Sequence, residues 1–364
     1  MERIAGLVCA NYETKGLGVL TEDRTIASLP FGGRYRMIDF SLSNMVNSGI
    51  RTVGLITPYK YRSIFDHIGA GKAWSLDRKD GGLFILPGST FGVSGSRSRF
   101  LMRDLKRNEV FLKRSTAEYI ILTAVDVICN LDYRPMVEYH ERSGADVTLL
   151  FSEASTDAPL DPGLILDGDR VTAFTHGVRA GENAFCACFI IRRTLLIDVL
   201  GWYATVGHLD LFEALEADLD KTDVRAYRCP GYIRRILDVR DYYRCSMELL
   251  LPEVREEVLS KERPVLTKVR DSVPTKYLNG SKTRNSLVSA GCLIKGTVEN
   301  SILFRSVKVE DGAVVRNSII LQSCVIEAGA SVENAILDRG NVIAAGTVLK
   351  GSPGNAFVLG KKKI

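Results

Sequence analysis

The stretch ILFRSVKVEDGAVVRNSIILQSCVI, residues 302–326, has apolar side chains at intervals of six. This spacing fits neither the 3.6-residue period of a helix nor the two-residue period of a strand. It is typical of a triangular parallel β-helix with one flat side per hexapeptide, and Gly312 and Gly329 are suited to its corners. Two series of residues show this spacing. The first is Leu303, Val309, Val315 and Leu321. The second is Ile302, Val314, Ile320, Ile326 and Val332, in which the polar Lys308 occupies the position between Ile302 and Val314.

Upstream of these repeats, continuous apolar segments alternate with amphipathic ones. Such alternation predicts an α/β domain with a mostly parallel sheet and helices on both faces. We expect this domain over residues 1–249, an interdomain connection over 250–287, and the β-helix with a short basic tail over 288–364. The predicted strands are Ile4–Ala10, Thr52–Thr57, Tyr119–Val125, Asp146–Phe151 and Ala187–Ile191, and the predicted helices are Phe40–Ser48 and Tyr61–Ile68.

The composition excludes several classes of protein. A chain of 364 residues with 46% hydrophobic and 25% charged residues is typical of a soluble protein of two domains. The net charge of +5 is spread among interleaved acidic residues, which argues against a nucleic-acid-binding protein. No apolar run reaches the ~20 residues of a membrane span. Eight scattered cysteines and four histidines predict reduced, buried thiols in a cytoplasmic protein, and no metal site.

Asp126 is the most conspicuous polar residue of the predicted sheet. It directly follows the apolar run Tyr119–Val125. Ligands of open α/β sheets bind at the carboxyl ends of the strands, so this position suits a metal-binding or substrate-binding carboxylate. A structural role, for example as the N-cap of a helix, is an equally good interpretation of the position alone.

The segment PFGGRYRMIDFSLSN, residues 30–44, resembles the bacterial glucose-1-phosphate adenylyltransferases, also called ADP-glucose pyrophosphorylases. The resemblance implies a nucleotidyltransferase domain followed by a left-handed β-helix. It also implies that active members make ADP-glucose and pyrophosphate from ATP and glucose 1-phosphate with Mg²⁺. Further matching segments are Asn47–Ile50, Thr57–Lys60, His67–Gly69, Asp132–Tyr133 and Asn285–Cys292.

The family's catalytic motifs are largely absent from this chain. The phosphate loop after the first strand has become Asn11–Leu17, in which acidic Glu13 replaces a loop residue beside the triphosphate, and Ser94–Arg99 lacks the expected Gly-Thr-Ala-Asp-Ala pattern. Of the paired metal aspartates, only Asp126 remains, and a single carboxylate is a weak magnesium site. The lost positions are Gly16 for the loop arginine, Ile26 and Gly177 for two lysines, and Arg235 for the second aspartate.

These losses resemble those of the GlgD-type regulatory subunit, which in this family assembles with the catalytic GlgC-type subunit. The resemblance implies a regulatory or structural subunit of glucose-1-phosphate adenylyltransferase in glycogen biosynthesis, with little or no activity alone. It implies a mixed tetramer in which Mg²⁺ serves the catalytic partner, and no cofactor held by this chain. It also implies that Arg24, Arg36, Arg305 and Lys308 bind an anionic effector, a sugar phosphate or an adenine nucleotide, although Ser306 replaces one arginine of the pattern.

Other interpretations remain open at this point. The four basic residues also fit a solvated surface. An active nucleotidyltransferase could use Lys15, Arg24 or Arg34 in place of the lost cations. A homo-oligomeric sensor of sugar nucleotides would need no catalytic partner. A hexapeptide-repeat acyltransferase is disfavoured, since such enzymes need a histidine beside the coil and none follows His208.

Overall fold

The computed structural model describes residues 3–12, 14–58, 60–88, 99–203, 205 and 210–361, except the side chains of 159–160. The predictions made for Glu13, for residues 94–98 and for the tail beyond Lys361 lie outside these ranges. The chain divides into two compact units that do not follow its order. Unit 1 comprises Met1–Glu13, Ile38–Arg235 and Glu262–Leu266, and unit 2 comprises Thr14–Met37, Ile236–Lys261 and Thr267–Ile364.

The first part of the chain carries thirteen strands and nine helices within the described ranges. The strands are β1 (Ile4–Cys9), β2 (Pro30–Phe31), β3 (Tyr35–Arg36), β4 (Thr52–Thr57), β5 (Gly82–Pro87), β6 (Tyr119–Ala124), β7 (Val127–Cys129), β8 (Val147–Glu153), β9 (Ala158–Asp167), β10 (Arg170–Val178), β11 (Asn183–Arg192), β12 (Val224–Arg228) and β13 (Ile233–Arg235). The helices are α1 (Met37–Asn47), α2 (Arg62–Ile68), α3 (Met102–Arg107), α4 (Glu109–Arg114), α5 (Arg134–Ser143), α6 (Arg193–Trp202), α7 (Leu211–Ala217), α8 (Val239–Glu248) and α9 (Pro252–Val258). Short 3₁₀ turns occupy Gly18–Thr21, Ile26–Ser28 and Lys72–Trp74.

The core of unit 1 is a nine-stranded sheet of order β5-β4-β1-β6-β11-β8-β12-β10-β9. The predicted strands are confirmed, and β5, β4, β1 and β6 are parallel to one another. Beyond β6 the sheet is mixed, because β11 runs antiparallel to both β6 and β8. No helix separates β9 from β10 in the chain, so these two strands pair as an antiparallel hairpin, since parallel pairing would need a crossover.

Unit 2 contains a parallel β-helix whose three sides are five-stranded sheets. Its first coil starts at Lys276, before the predicted boundary at residue 288, so residues 276–287 are part of the coil rather than of a connection. The outward side chains of this coil, such as Lys282 and Arg284, are exposed and polar, which hides the coil from an apolar pattern. The strands are β14 (Lys276–Tyr277), β15 (Lys282–Arg284), β16 (Leu287–Val288), β17 (Leu293–Ile294), β18 (Thr297–Glu299), β19 (Ile302–Leu303), β20 (Lys308–Val309), β21 (Val314–Arg316), β22 (Ile319–Ile320), β23 (Val325–Ile326), β24 (Ser331–Glu333), β25 (Ala335–Leu337), β26 (Val342–Ile343), β27 (Val348–Lys350) and β28 (Phe357–Leu359).

The coils between residues 302 and 350 repeat every 17 residues, as the pairings Leu303 with Ile320 and Ile320 with Leu337 show. Two sides of each coil have six residues and the third has five, since the corners with positive φ fall at Asn300, Ser306, Gly312 and Asn317. Glycine and asparagine adopt this left-handed conformation at little cost. The inward-facing residues therefore begin with members of the first predicted series and continue with members of the second. They are Leu303, Val309, Val315, Ile320, Ile326, Val332, Leu337 and Ile343.

One side of the β-helix carries an outward row of alternating charges, which we call the charge ladder. It lies in the sheet β15-β18-β21-β24-β27, where parallel pairing stacks the same register position of every coil. Arg316 Nε lies 2.8 Å from Glu299 Oε2, and Lys350 Nζ lies 3.0 Å from Glu333 Oε2. The members of the ladder, in order, are Arg284, Glu299, Arg316, Glu333 and Lys350.

Candidate functional site

Asp126 lies at the carboxyl end of β6, fully buried, between two arginines. Arg99 Nε donates to Asp126 Oδ2 at 2.7 Å, and Arg235 Nη2 donates to the same oxygen at 3.1 Å. Arg235 Nη1 also donates to Asp161 Oδ1 at 2.5 Å. These four side chains, all in unit 1, form what we call the arginine–aspartate cluster.

Local pairing of the backbone explains why the cluster forms. Arg235 is the last residue of β13 and pairs with Val127 of β7, so it lies beside Asp126. Tyr12, two residues beyond Ala10 at the end of the first strand, is buried, and its hydroxyl accepts a hydrogen bond of 3.0 Å from the backbone of Val125. The guanidinium carbon of Arg99 lies 4.4 Å from the centre of the Tyr12 ring, a cation–π contact. An aromatic side chain therefore fills space at a position where the resembling enzymes carry a glycine.

The cluster contains two arginines and two aspartates, and the pKa values of Asp126, Asp161 and Arg235 are shifted. Burial alone raises the pKa of Asp126, but Arg99 and Arg235 outweigh burial and lower this pKa to about 2. Burial lowers the pKa of Arg235, but Asp161 and Asp126 reverse this effect and raise it above its usual value. Burial raises the pKa of Asp161, only partly opposed by Arg235. The cluster thus brings two guanidinium groups and two carboxyl groups into direct contact in the buried interior.

The cluster does not fit a magnesium ion. Mg²⁺ requires octahedral oxygen ligands, and one carboxylate oxygen of Asp126 already accepts from both arginines. Asp126 Oδ1 has no hydrogen-bond partner among the described residues, so a single oxygen remains for any other donor. Within the described ranges, no group of three or more His, Cys, Asp or Glu side chains is arranged to hold a metal ion.

The other predicted loss positions offer no cationic side chain. Gly16 pairs with Asp238, and a Cβ atom at Gly16 would lie 2.5 Å from the carbonyl oxygen of Leu237, so no arginine fits there without a shift of the backbone. Ile26 is buried in a 3₁₀ turn. Gly177 has φ of +98° where the β9–β10 register shifts, a backbone conformation that favours glycine.

The four predicted effector residues have different surroundings, all in unit 2. Arg24 donates to the backbone of Leu20 at 2.8 Å and forms an ion pair with Asp338, so its charge is already compensated. Arg36 is half-buried in β3, and Lys308 is exposed in β20. Arg305 is half-buried, and its surroundings are described next.

Arg305 lies near two other arginines. Burial lowers the pKa of Arg305, and the neighbouring cations Arg270 and Arg34 lower it further. None of these three side chains forms an ion pair with a carboxylate of the described residues. We call Arg34, Arg270 and Arg305 the basic cluster. Mutual repulsion of this kind is relieved when an anion binds, because the anion is attracted by all three cations.

Sequence reasoning missed several members of both clusters. Arg99 was part of a segment without a recognisable motif, and Asp161 lies in β9 with no pattern that marks it. Arg270 belongs to the segment taken as a connection. A polar residue inside an apolar strand is a weak signal for Asp161, but only the folded structure shows that Arg235 links it to Asp126.

Comparisons with known proteins agree with this architecture. Residues 15–175 match the family model "Nucleotidyl transferase", and residues 272–353 match "GlmU-like, C-terminal hexapeptide", which confirms the left-handed β-helix. The chain is 34% identical to "Glycogen biosynthesis protein GlgD" of Bacillus subtilis (strain 168), over 85% of this chain and 82% of that protein. It is 35% identical to the protein of the same name from Geobacillus stearothermophilus, over 86% and 83%.

The chain is also similar to an enzyme. The chain is 30% identical to "Glucose-1-phosphate adenylyltransferase" of Pseudothermotoga lettingae, over 86% of this chain and 77% of the enzyme. No helix in the described part of the chain has the length and apolar character to cross a membrane.

Proposed function

The chain belongs to the family of GlgD proteins and glucose-1-phosphate adenylyltransferases, and from this premise we propose that it is a regulatory subunit of that enzyme in glycogen biosynthesis. In this proposal it has little or no adenylyltransferase activity of its own. The observation that carries the proposal is the arginine–aspartate cluster, in which guanidinium groups stand where active members bind Mg²⁺.

The electrostatics of the cluster oppose catalysis. Nucleotidyl transfer depends on metal ions and cationic side chains that stabilise charge on the reacting phosphates. A unit positive charge about 5 Å from a bound cation repels it by about 3 kcal/mol per charge at an effective dielectric constant of ~20. Arg235 would exert this repulsion on any metal at Asp126, and Tyr12 fills the adjacent space.

We further propose that the chain assembles with a GlgC-type catalytic subunit into a mixed tetramer. A scaffold that keeps its fold while its site is filled by its own side chains can act through packing and through ligands bound elsewhere. The similarity to both GlgD proteins and the active enzyme supports this proposal. Eight free, buried cysteines support a reducing, cytoplasmic location for the assembly.

The basic cluster is our proposed effector site. A sugar phosphate or an adenine nucleotide would bring the anionic groups that Arg34, Arg270 and Arg305 lack, and arginine binds phosphate through paired hydrogen bonds. Arg36 and Lys308 remain further candidates for contact with the effector. Arg24 is a weaker candidate than the sequence suggested, because Asp338 already neutralises it.

The test measures the synthesis of ADP-glucose from ATP and glucose 1-phosphate in the presence of Mg²⁺. It compares this chain alone, a GlgC-type subunit from the same source alone, and the two co-expressed. We expect no product from this chain alone. We expect the mixture to differ from the GlgC-type subunit in rate or in its response to a sugar phosphate. That response should weaken with Arg305→Ala and persist with Lys282→Ala, a control exposed in the first coil.

Turnover by the isolated chain would contradict the proposal if Asp126→Asn abolishes it, because that result would show a working site at β6. Turnover that persists in Asp126→Asn would come from a contaminating enzyme. A chain that neither associates with the GlgC-type subunit nor changes its kinetics would overturn the regulatory assignment.

A further inference from the structure

A groove in unit 1 has no part in the sites described so far. It runs along β5, the edge strand of the nine-stranded sheet, and is covered on its other side by α4 and the turn that follows. Its volume is about 390 Å³. Cavities of this order of size hold small organic ligands. We call it the edge groove.

The floor of the edge groove is apolar. Phe84 of β5 and Phe111 of α4 face each other with ring centres 5.5 Å apart. Gly54 of β4 makes the approach of α4 possible, because a Cβ atom there would lie 3.1 Å from the Phe111 ring. Leu86 and Val110 complete the floor, and Val110 is 56% exposed. The rings are held in place and still partly open to solvent.

A buried amide fixes the end of the groove. Asn108, between α3 and α4, donates through Nδ2 to the carbonyl oxygen of Pro87 at 2.9 Å and to that of Asp104 at 2.8 Å. These bonds tie the junction of the two helices to the last residue of β5. The wall and the floor of the groove are therefore joined by directional bonds as well as by apolar contact.

The rim of the groove is positively charged. Arg107 ends α3 and Arg114 ends α4, and both side chains line the groove. Glu109, the acid between them, is already bound by Lys106 and Lys113, each at 3.2 Å. Neither Arg107 nor Arg114 forms an ion pair with a residue in the described part of the chain. Cations at the ends of helices are favourable in themselves, but here both border one apolar cavity.

We propose that the edge groove binds a small organic carboxylate with an aromatic or branched apolar body. The apolar part would lie on Phe84 and Phe111, and the carboxylate would be bound by Arg107 and Arg114. Guanidinium groups bind carboxylates in a paired geometry, and apolar floors with few charged groups are typical of ligand sites. This site is independent of the proposed regulatory role, because it lies in unit 1 and needs neither nucleotide nor partner.

The test uses 4-phenylbutyrate as the probe and the full-length chain in solution. Binding is measured by calorimetry and by saturation-transfer NMR, with the uncharged 4-phenylbutyramide and with acetate as comparisons. We expect saturable binding of 4-phenylbutyrate with a dissociation constant between ~0.1 and ~10 mM, and at least ~10-fold weaker binding of both comparison compounds. Arg107→Gln combined with Arg114→Gln should weaken binding by at least ~10-fold, since both charge-assisted contacts are lost.

The matched control is Lys106→Gln combined with Lys113→Gln. It removes the same amount of charge from the same two helices but leaves the groove lining unchanged. Binding that is absent, or equally strong in the arginine double variant, would overturn the proposal. An oligomer that dissociates with Val110→Glu would identify the groove as a contact between copies of the chain, and would overturn it as well.

Discussion

The arginine–aspartate cluster of unit 1 and the charge ladder of unit 2 use the same residue types at similar distances. Arg235 Nη2 lies 3.1 Å from Asp126, and Arg316 Nε lies 2.8 Å from Glu299. The two pairs differ in their exposure to solvent. The side chains of Arg235 and Asp126 are 10% and 0% exposed. Those of Arg316 and Glu299 are 51% and 35% exposed. Distance alone therefore says little about the consequence of breaking a pair. What decides it is whether water can replace the lost partner.

The largest effect is expected for Arg235→Met. This change leaves the buried carboxylates of Asp126 and Asp161 without their shared cation, although Arg99 still forms an ion pair with Asp126. Removing one member of a buried ion pair typically destabilises a protein by about 3–5 kcal/mol. We expect a loss of this order in the free energy of unfolding at neutral pH, measured by urea denaturation.

The matched control for Arg235→Met is Arg228→Met. Arg228 pairs with Glu153 at 2.7 Å, but both side chains are more than half exposed. We expect its loss to cost less than about 1 kcal/mol. Asp161→Asn, combined with Arg235→Met, should recover part of the larger loss because it removes the carboxylate whose ion pair with Arg235 is lost. If Arg235→Met and Arg228→Met lower the free energy of unfolding equally, burial does not make the cluster more stabilising than an exposed ion pair.

An intermediate effect is expected from pH. The pKa of Asp126 is lowered from 3.8 to about 2, so its ionisation contributes about 2 kcal/mol to stability. This contribution is present above the usual pKa of an aspartate and is lost as the pH falls through about 2. The raised pKa of Asp161 acts in the opposite sense, because protonation of Asp161 favours the native state as the pH falls.

The pH effect is isolated by comparing the wild type with Asp126→Asn. The difference in their free energies of unfolding should be greatest near neutral pH and should shrink by about 2 kcal/mol toward pH ~2. General acid effects act on both proteins and cancel in this difference. A difference that stays constant over this range would mean that the pKa of Asp126 is the same in the native and unfolded states.

The smallest effect is expected for Glu333→Gln in the charge ladder. Glu333 pairs across the coils with Arg316 on one side and Lys350 on the other. Exposed pairs contribute about 0.2–1 kcal/mol each and are screened by salt. We expect a loss of up to about 1 kcal/mol at low ionic strength that largely disappears in ~1 M salt. A loss that salt leaves unchanged would point to packing rather than charge.

The sequence predicted the fold more fully than the site. Continuous apolar runs such as Tyr119–Val125 and the spacing of six in residues 302–326 reflect burial directly, so both halves of the architecture could be predicted. The five-residue side of each coil was not apparent from the sequence. Val314 and Val315 are both apolar, but only Val315 is buried, so the apolar pattern does not show which residue faces inward. The first coil was missed because its outward residues are polar.

The cluster depends on contacts that no local pattern encodes. Arg99, Asp126, Asp161 and Arg235 come from four separate segments and meet only through long-range contacts of the fold. The resemblance implied that Arg235 takes the place of the second metal aspartate, which is apparent from one position of the sequence alone. It did not predict that Asp126 and Asp161 would bind Arg235, because that requires knowing which strands lie side by side.

The alternating signs of the charge ladder limit how the number of coils in the β-helix can change. Inward-facing residues are apolar in the coils that follow the first, so the interior there would accept the loss of one coil or of two. The ladder alternates in sign with a period of two coils: loss of one coil from its middle would place Glu299 directly beside Glu333. Loss of two would place Glu299 beside Lys350 and restore attraction. The length of this solenoid can therefore change more readily in even steps than in odd ones.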